Sequence, residues 1–319
     1  MLMKAVLAGD LGGTKCRIAL VTADFRVHAV QQFATVRDRA AFLAALDAAM
    51  DAALAAAPTL AATVVAAGFG TAGVLSPAGD RIEHAPNLPL DGYPLAAHVQ
   101  QRHGLATTVL NDGRASALGE YRCGEAAGKD PLLCLFFGTG IGIGLIVGGK
   151  PYSGATQAAG EIGHTIFRPG GRMCPCGGAG HFEAYCGGRA ITERAAAELG
   201  PLPPAAAGAA RWTVGAVVEA AATGDPQRQP AAAAILADAE QAACTMVANA
   251  CTLLNPAAVV LGGGVLDGWP ALRGRLAEAV SRSTSAPIHR NLLWASSRGG
   301  SDAILWGAAA ATGALQAIP

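Results

Sequence analysis

One pattern occurs twice in this chain: an apolar strand, a glycine-rich turn, then a second β-prone run. LAGDLGGTKCRIALV carries it near the amino terminus, and CLFFGTGIGIGLIV carries it again from Cys134 onward. Apolar runs bounded by glycines read as hairpins, and a unit recurring in matching order reads as an internal repeat. In the first copy Lys4 to Gly9, Cys16 to Thr22 and Val27 to Thr35 are predicted as a three-stranded antiparallel meander. The second copy predicts strands at Pro131 to Phe137 and Ile141 to Val147.

Between and after the repeats the chain alternates. Asp38 is predicted to cap a helix whose Phe42, Leu43, Leu46, Met50 and Leu54 form one stripe before Pro58. Further strands are expected at Thr63 to Gly68, Ala106 to Leu110, Ala257 to Leu261 and Ile288 to Ala295. Helices are expected at Arg114 to Cys123, Glu183 to Leu199, Val214 to Ala222, Ala231 to Leu254, Pro270 to Ser281 and Ala303 to Leu315, and Gly70 to Pro94 is dense in turn residues. Two halves that each open on a glycine hairpin and continue through strands and helices predict an α/β protein of two domains facing across a cleft. The expected division is a smaller domain over 1–112, completed by a C-terminal helix within 302–319, and a larger one over 113–301.

Charge excludes one class of partner. Only 14% of the 319 residues are charged, and 23 Lys plus Arg balance 23 Asp plus Glu, so no basic field exists to attract nucleic acid. The apolar amino terminus is cut at Asp10, and Ala231 to Leu254 is interrupted by Asp238, Glu240 and Gln241, so neither a signal peptide nor a membrane span is expected. Eight scattered cysteines in a chain of this size favour reduced thiols, with room for one metal site, over a disulfide framework. A cytoplasmic protein is the expectation.

Three stretches carry chemistry. In DLGGTK the glycines allow backbone N–H groups to face phosphate oxygens, Thr14 and Lys15 add donors, and Asp10 can hold Mg²⁺ through water; an ordinary hairpin turn is the alternative. FGTGIGIG has the glycines of a dinucleotide fingerprint but is followed by a strand rather than a helix, so a second phosphate-binding hairpin fits better. Gly262 to Gly264 lie between a strand and a helix, where a nucleotide can rest on the backbone. Asp112 closes a strand, as a helix cap or as a base for a substrate hydroxyl; Asn111 can serve as the cap if Asp112 is the base.

The third stretch is GEIGHTIFRPGGRMCPCGGAGHFEAYCGG, Gly160 to Gly188. His164, Cys174, Cys176 and His181 supply two nitrogens and two sulfurs, a set that suits tetrahedral zinc. Packing without a metal is the alternative for each.

DLGGTK, LND before a helix, FGTGIGIG, E-x-G-H, C-x-C-G-x-x-G followed by Glu183, and LGGGV together resemble the ROK family of sugar kinases and sugar-responsive repressors. The resemblance runs in order over nearly the whole chain. It implies two ribonuclease-H-like domains of the actin and hexokinase type around a central cleft, phosphorylation of a hexose by ATP with Mg²⁺, a structural Zn²⁺, and a homodimer. It further implies that Asp112 is the general base, that Asn111, Glu161, His164 and Glu183 bind sugar hydroxyls, and that Asn87 in APNLP is a further sugar-site candidate. Gly12, Gly13, Thr14, Gly138, Thr139 and Gly140 would surround the triphosphate, and Gly262 and Gly263 the adenosine. His164 would serve zinc with one ring nitrogen and the sugar with the other. Glucose, phosphorylated on its 6-hydroxyl, is the first-choice substrate, with N-acetylhexosamine, mannose or fructose as alternatives. The zinc ligands depart from the family's pattern, in which a third cysteine usually stands where this chain has His181. Family repressors carry a helix-turn-helix ahead of the first glycine turn; nine residues precede Asp10 here, which favours an enzyme over a sugar sensor.

Overall fold

The computed structural model describes residues 2–202, 211–223, 225–297, 299–300 and 302–315. The predicted meander is present as β1 (Met3–Leu11), β2 (Lys15–Thr22) and β3 (Val27–Ala34). Helix α1 (Arg39–Ala55) follows, and its Asp38 cap accepts a hydrogen bond from the Ala41 N–H at 2.8 Å. Then come β4 (Ala62–Thr71), β5 (Val74–Leu75), β6 (Ile82–His84), α2 (Leu95–His103), β7 (Thr107–Asn111) and α3 (Asp112–Cys123). The second hairpin is β8 (Leu132–Phe137) and β9 (Ile141–Val147), with β10 (Lys150–Pro151) after it. Helices α4 (Glu183–Cys186), α5 (Gly188–Leu199), α6 (Val214–Ala222) and α7 (Gln229–Leu254) lead to β11 (Ala258–Gly262). The remaining elements are α8 (Gly264–Gly268), α9 (Ala271–Ser283), α10 (Ala286–His289), β12 (Leu293–Ser296) and α11 (Ala303–Ala311).

The repeat is visible in the sheets. One has the order β3-β2-β1-β4-β7 and the other β10-β9-β8-β11-β12, so each is a meander continued by two further strands. In the first, β1 is antiparallel to β2 and parallel to β4, and β4 is parallel to β7. Central strands covered on both faces read as continuous apolar runs, and β1 is buried from Ala5 through Gly9. Leu7, Ile18, Phe42, Met50 and Phe69 fill one side, while Val6, Ala8, Ala19 and Val21 meet Leu305 and Ala309 of α11 on the other.

The chain divides into two compact units. The first comprises Met1–Leu132, Gly144–Gly160 and Ser297–Pro319, and the second Leu133–Ile143 and Glu161–Ser296. The boundary expected at residue 112 therefore moves, because α3 packs backbone-close on α11. A Cβ at Gly119 would strike the Ala303 carbonyl, and one at Gly307 the Ala115 carbonyl, so the two glycines let these helices touch. Helix α11 belongs to the first unit; residues 316–319 lie outside the described part.

The second unit is built on α7. Its Ala232, Ile235, Ala239, Ala242, Ala243, Met246, Val247 and Cys251 lie in the core, with β11 buried throughout. Among the described residues α7 alone has the length and apolarity of a membrane-crossing helix, and this burial makes it a core helix. Two expectations change here. The helix predicted over Glu183 to Leu199 is broken by extended backbone at Gly187 (φ −70°, ψ 146°). The strand predicted over Ile288 to Ala295 begins only at Leu293, because α10 occupies the residues before it.

Candidate active site

The first glycine turn is held from three directions. The Gly12 N–H donates to the Lys15 carbonyl at 3.2 Å, Thr35 Oγ1 donates to the Gly12 carbonyl at 2.6 Å, and the Thr35 N–H donates to the Thr14 carbonyl at 3.0 Å. Asn87 packs against the turn: a Cβ built on Gly13 would stand 2.6 Å from the Asn87 Cβ, so only glycine fits beside it. Thr14 and Lys15 are exposed.

Asp10 is the next-to-last residue of β1, opposite Arg17 on β2 and Gly70 on β4. Its carboxyl is pushed up to about 7, first by burial and second by the charge of Asp112, against the pull of Arg17 and Lys15. Arg17 is itself held by Asp302 at 2.7 Å. The strand ends of a parallel arrangement are where ligands of α/β proteins bind, and this one carries two acidic groups that repel each other.

Asn111 is the cap of α3. Its Oδ1 accepts from the N–H groups of Gly113 and Arg114 at 3.0 and 3.4 Å, and its Nδ2 donates to the Gly73 carbonyl at 3.2 Å. Asp112 stands as the first helical residue, with Oδ1 also accepting from the Gly113 N–H at 2.9 Å.

At the second turn, Glu183 Oε2 accepts the Ile141 N–H at 2.8 Å, and a Cβ at Gly140 would strike the same carboxylate. The break at Gly187 also belongs to this turn. It lets the first N–H groups of α5 reach the turn's carbonyls, Gly188 to Gly138 and Arg189 to Thr139, each at 2.9 Å. Gly138 and Thr139 then line a groove of about 1330 Å³ whose other walls include Arg189, Thr192, Trp212, Gly264 and Val265. Gly262 and Gly263, expected beside the adenosine, are absent from this lining. Gly262 is a buried strand residue, and Gly263 (φ +102°) is required where the exit of β11 presses on the Phe137 backbone. Arg189, Thr192 and Trp212 were invisible to pattern reading because they meet only through the fold.

The predicted metal ligands converge. The ligand atoms of His164, Cys174, Cys176 and His181 all lie within 4.8 Å of one another. Cys174 Sγ is 3.6 Å from His164 Nδ1, and Cys176 Sγ is 3.2 Å from His181 Nδ1. Ligands on a zinc tetrahedron are separated by about 3.3–3.8 Å, given zinc bonds of about 2.0–2.3 Å, so the donor set fits with a small contraction. His164 Nδ1 faces the cysteines while Nε2 lies 3.8 Å from Glu161 Oε2, which separates the two faces of the ring. Burial of the Cys174 thiol pushes it up to about 11, an environment in which a thiolate needs a cation. The loop is tied to α7 by Arg168 and Arg172, which reach the two oxygens of Asp238 at 3.0 and 3.2 Å.

A repeated glycine hairpin on two similar mixed sheets, with acidic residues at one set of strand ends, defines an α/β protein of the actin and hexokinase-like class. Within that class the chain belongs to the ROK family, whose pattern matches residues 6–313. It is 30% identical to a glucokinase of Streptomyces coelicolor over 83% of each chain, and 31% identical to an N-acetylmannosamine kinase of Shigella flexneri over 95% of this chain and 97% of that one. Among solved structures it resembles a ROK family glucokinase from Streptomyces griseus in complex with glucose and AMPPNP (TM-score 0.77, 30% identity, 96% and 98% covered). A ROK family transcriptional regulator, a homologue of the Escherichia coli MLC protein, shares the fold at TM-score 0.83 and 23% identity, with 98% of this chain and 78% of the regulator covered.

Proposed function

We propose that the protein is an ATP-dependent hexose kinase, with glucose the first-choice substrate and its 6-hydroxyl the acceptor. The observation that carries this is the start of α3: Asn111 caps the helix, and the Asp112 carboxylate stands as its first residue, close enough to Asp10 at the strand ends to raise the Asp10 pKa. In this reading the Asp112 carboxylate accepts the proton of the sugar hydroxyl as its oxygen attacks the γ-phosphorus, and ADP departs. Asp10 would hold Mg²⁺ through water, and that charge would relieve the repulsion between Asp10 and Asp112. The groove lined by Gly138, Thr139 and Gly264 is assigned to the nucleotide, and the DLGGTK turn to its phosphates.

Asn87, Asn111, Glu161, His164 and Glu183 are assigned to sugar hydroxyls. Asn111 and Glu183 arrive with protein hydrogen bonds already made, so each offers its remaining donor or lone pairs. His164, Cys174, Cys176 and His181 would hold zinc, which fixes the His164 tautomer and leaves Nε2 for the sugar. The reading includes the two ribonuclease-H-like domains around a cleft and the homodimer that the resemblance implies.

The N-acetylmannosamine kinase relative, matched over almost the whole chain, supports an N-acetylhexosamine as the second reading. The fold shared with a transcriptional regulator supports a sugar sensor without turnover as a third. ADP release measured over a panel of hexoses and N-acetylhexosamines, beside Asp112→Ala, separates them. Sugar-dependent ADP release lost in Asp112→Ala is the expected result. Its absence from the unaltered protein would sink the kinase reading.

A further inference from the structure

Arg114 is a charged side chain in the first turn of α3, only 4% exposed. Its guanidinium reaches into the loop between β10 and Glu161. Nη1 donates to Gln157 Oε1 at 3.1 Å, and Nη2 donates to the carbonyls of Gln157 at 2.6 Å and Ala159 at 3.4 Å. The loop reads SGATQAAG, so it has almost no apolar side chain with which to anchor itself. Its residues are exposed or half-buried, and it is closed on itself by the Ala159 N–H to the Ser153 carbonyl at 3.1 Å. Gln157 sits in the left-handed region at φ +60°, a conformation unfavourable for a non-glycine residue that persists only where surroundings impose it. The Arg114 fork, gripping both the carbonyl and the side-chain amide of Gln157, is what imposes it here.

The same cap governs both ends of this connection. Asn111 Oδ1 accepts the N–H groups of Gly113 and Arg114, fixing the turn from which Asp112 and Arg114 leave the backbone. At the far end Ala159 is separated from Glu161 by Gly160 alone, and Gly160 has φ +99°. The loop's last fixed point is therefore the Ala159 carbonyl, and whatever holds it sets where Glu161 begins.

We propose that Arg114 is a positioning residue for sugar binding. Its guanidinium holds the Ser153–Gly160 loop and so fixes the departure point of Glu161, without touching substrate. A planar fork with five donors suits three acceptors on one loop; a lysine ammonium, a point charge on a flexible stem, cannot reproduce that geometry.

The inference rests on the reading of Glu161 as a sugar ligand, and the test keeps the two apart. Arg114→Lys and Arg114→Met are compared with the unaltered protein for hexose affinity by calorimetry, for the KM of ATP, and for amide exchange over 153–160. Exchange in that segment is expected to quicken by about tenfold or more as the local opening cost falls. Hexose affinity is expected to fall about tenfold while the KM of ATP stays within about twofold. Gln157→Gly, which suits the left-handed backbone and retains both carbonyl acceptors, is expected to leave affinity within about threefold. Faster exchange with unchanged hexose affinity would overturn the positioning role, as would a parallel rise in the KM of ATP or an equal loss in Gln157→Gly. Unaltered protein that binds hexose without releasing ADP would remove the kinase reading and leave the affinity comparison standing. Unaltered protein that binds no hexose would overturn both.

Discussion

The two glycine hairpins share a topology and differ in what stands behind them. The Gly12–Gly13 turn follows a strand that itself carries a carboxylate, Asp10, and is packed by the rigid Cβ of Asn87. The Gly138–Gly140 turn follows an apolar strand and borrows its carboxylate from elsewhere: Glu183 arrives from a loop knotted by two histidines and two cysteines, two residues after His181. Repetition supplied the same backbone scaffold twice, and different neighbours gave one copy a carboxylate on its own strand and set the other in the wall of a groove. Function in such a repeat lies in the backing, and the turns themselves are nearly interchangeable.

The comparison breaks hardest at the first hairpin. Asp112→Asn is expected to lower kcat by about 10²- to 10⁴-fold, the usual worth of a positioned general base, with both KM values nearly unchanged. Coupled ADP-release kinetics read this directly. If the loss were smaller than about tenfold, the chemistry would not belong to the first hairpin's side.

The second hairpin should break through its knot. His164→Ala is expected to reduce zinc to less than about half an equivalent by elemental analysis and to weaken sugar binding together, since the two ring faces serve both. His181→Ala should reduce zinc, and sugar affinity only through the metal. A fall in one property alone for His164→Ala would show that the ring is not shared.

A smaller effect sharpens the contrast between rigid and yielding packing. Gly13→Ala places a methyl against the Asn87 Cβ, which cannot retreat without its backbone, and should cost about 1–3 kcal/mol of stability. Gly140→Ala meets only the far end of the Glu183 side chain, so it should cost less stability while disturbing the hydrogen bond to Ile141. Equal melting temperatures for the two variants would mean that the turns are backed alike.

The last contrast is one of pH and concerns Asp10. Its folded-state pKa of about 7 stands above the ordinary carboxyl value of 3.8, so between the two the folded chain holds a proton that the unfolded chain has lost. Stability from this group is full below the unfolded value and is lost as pH rises through the folded one, the stretch from about 4 to 7. Asp10→Asn should remove that slope. Its melting temperature relative to the unaltered protein should be higher at pH 8 than at pH 5, and a constant difference would deny the raised pKa.

Much of this was legible in residues taken singly or in short runs. The hairpins announce themselves because glycines interrupt apolar strands, α1 because Asp38 precedes a clean stripe, and the histidine–cysteine cluster because four residues able to hold a metal crowd one loop. What stayed hidden is what the fold assembles over long separations. Gly187 reads as an ordinary helix residue until the carbonyls of Gly138 and Thr139 are seen waiting for the N–H groups beyond it. Gly263 reads as a nucleotide contact, and only the fold shows that the Phe137 backbone behind it also requires a glycine there. Arg114 reads as one polar residue among helix formers, and only the loop 43 residues later gives it a purpose. Helix α2 was missed because Leu95 and Val99 are its only buried residues, too few to write a stripe.

The position of α11 has a consequence for synthesis. The first sheet buries one face against Leu305 and Ala309, and its strands emerge from the ribosome long before those residues exist. At about 5–20 residues per second, the roughly 190 residues separating β7 from α11 take on the order of ten seconds or more to make. Through that interval the face carrying Val6, Ala8, Ala19 and Val21 lacks its cover. The half of the molecule that is made first is therefore the half that finishes last.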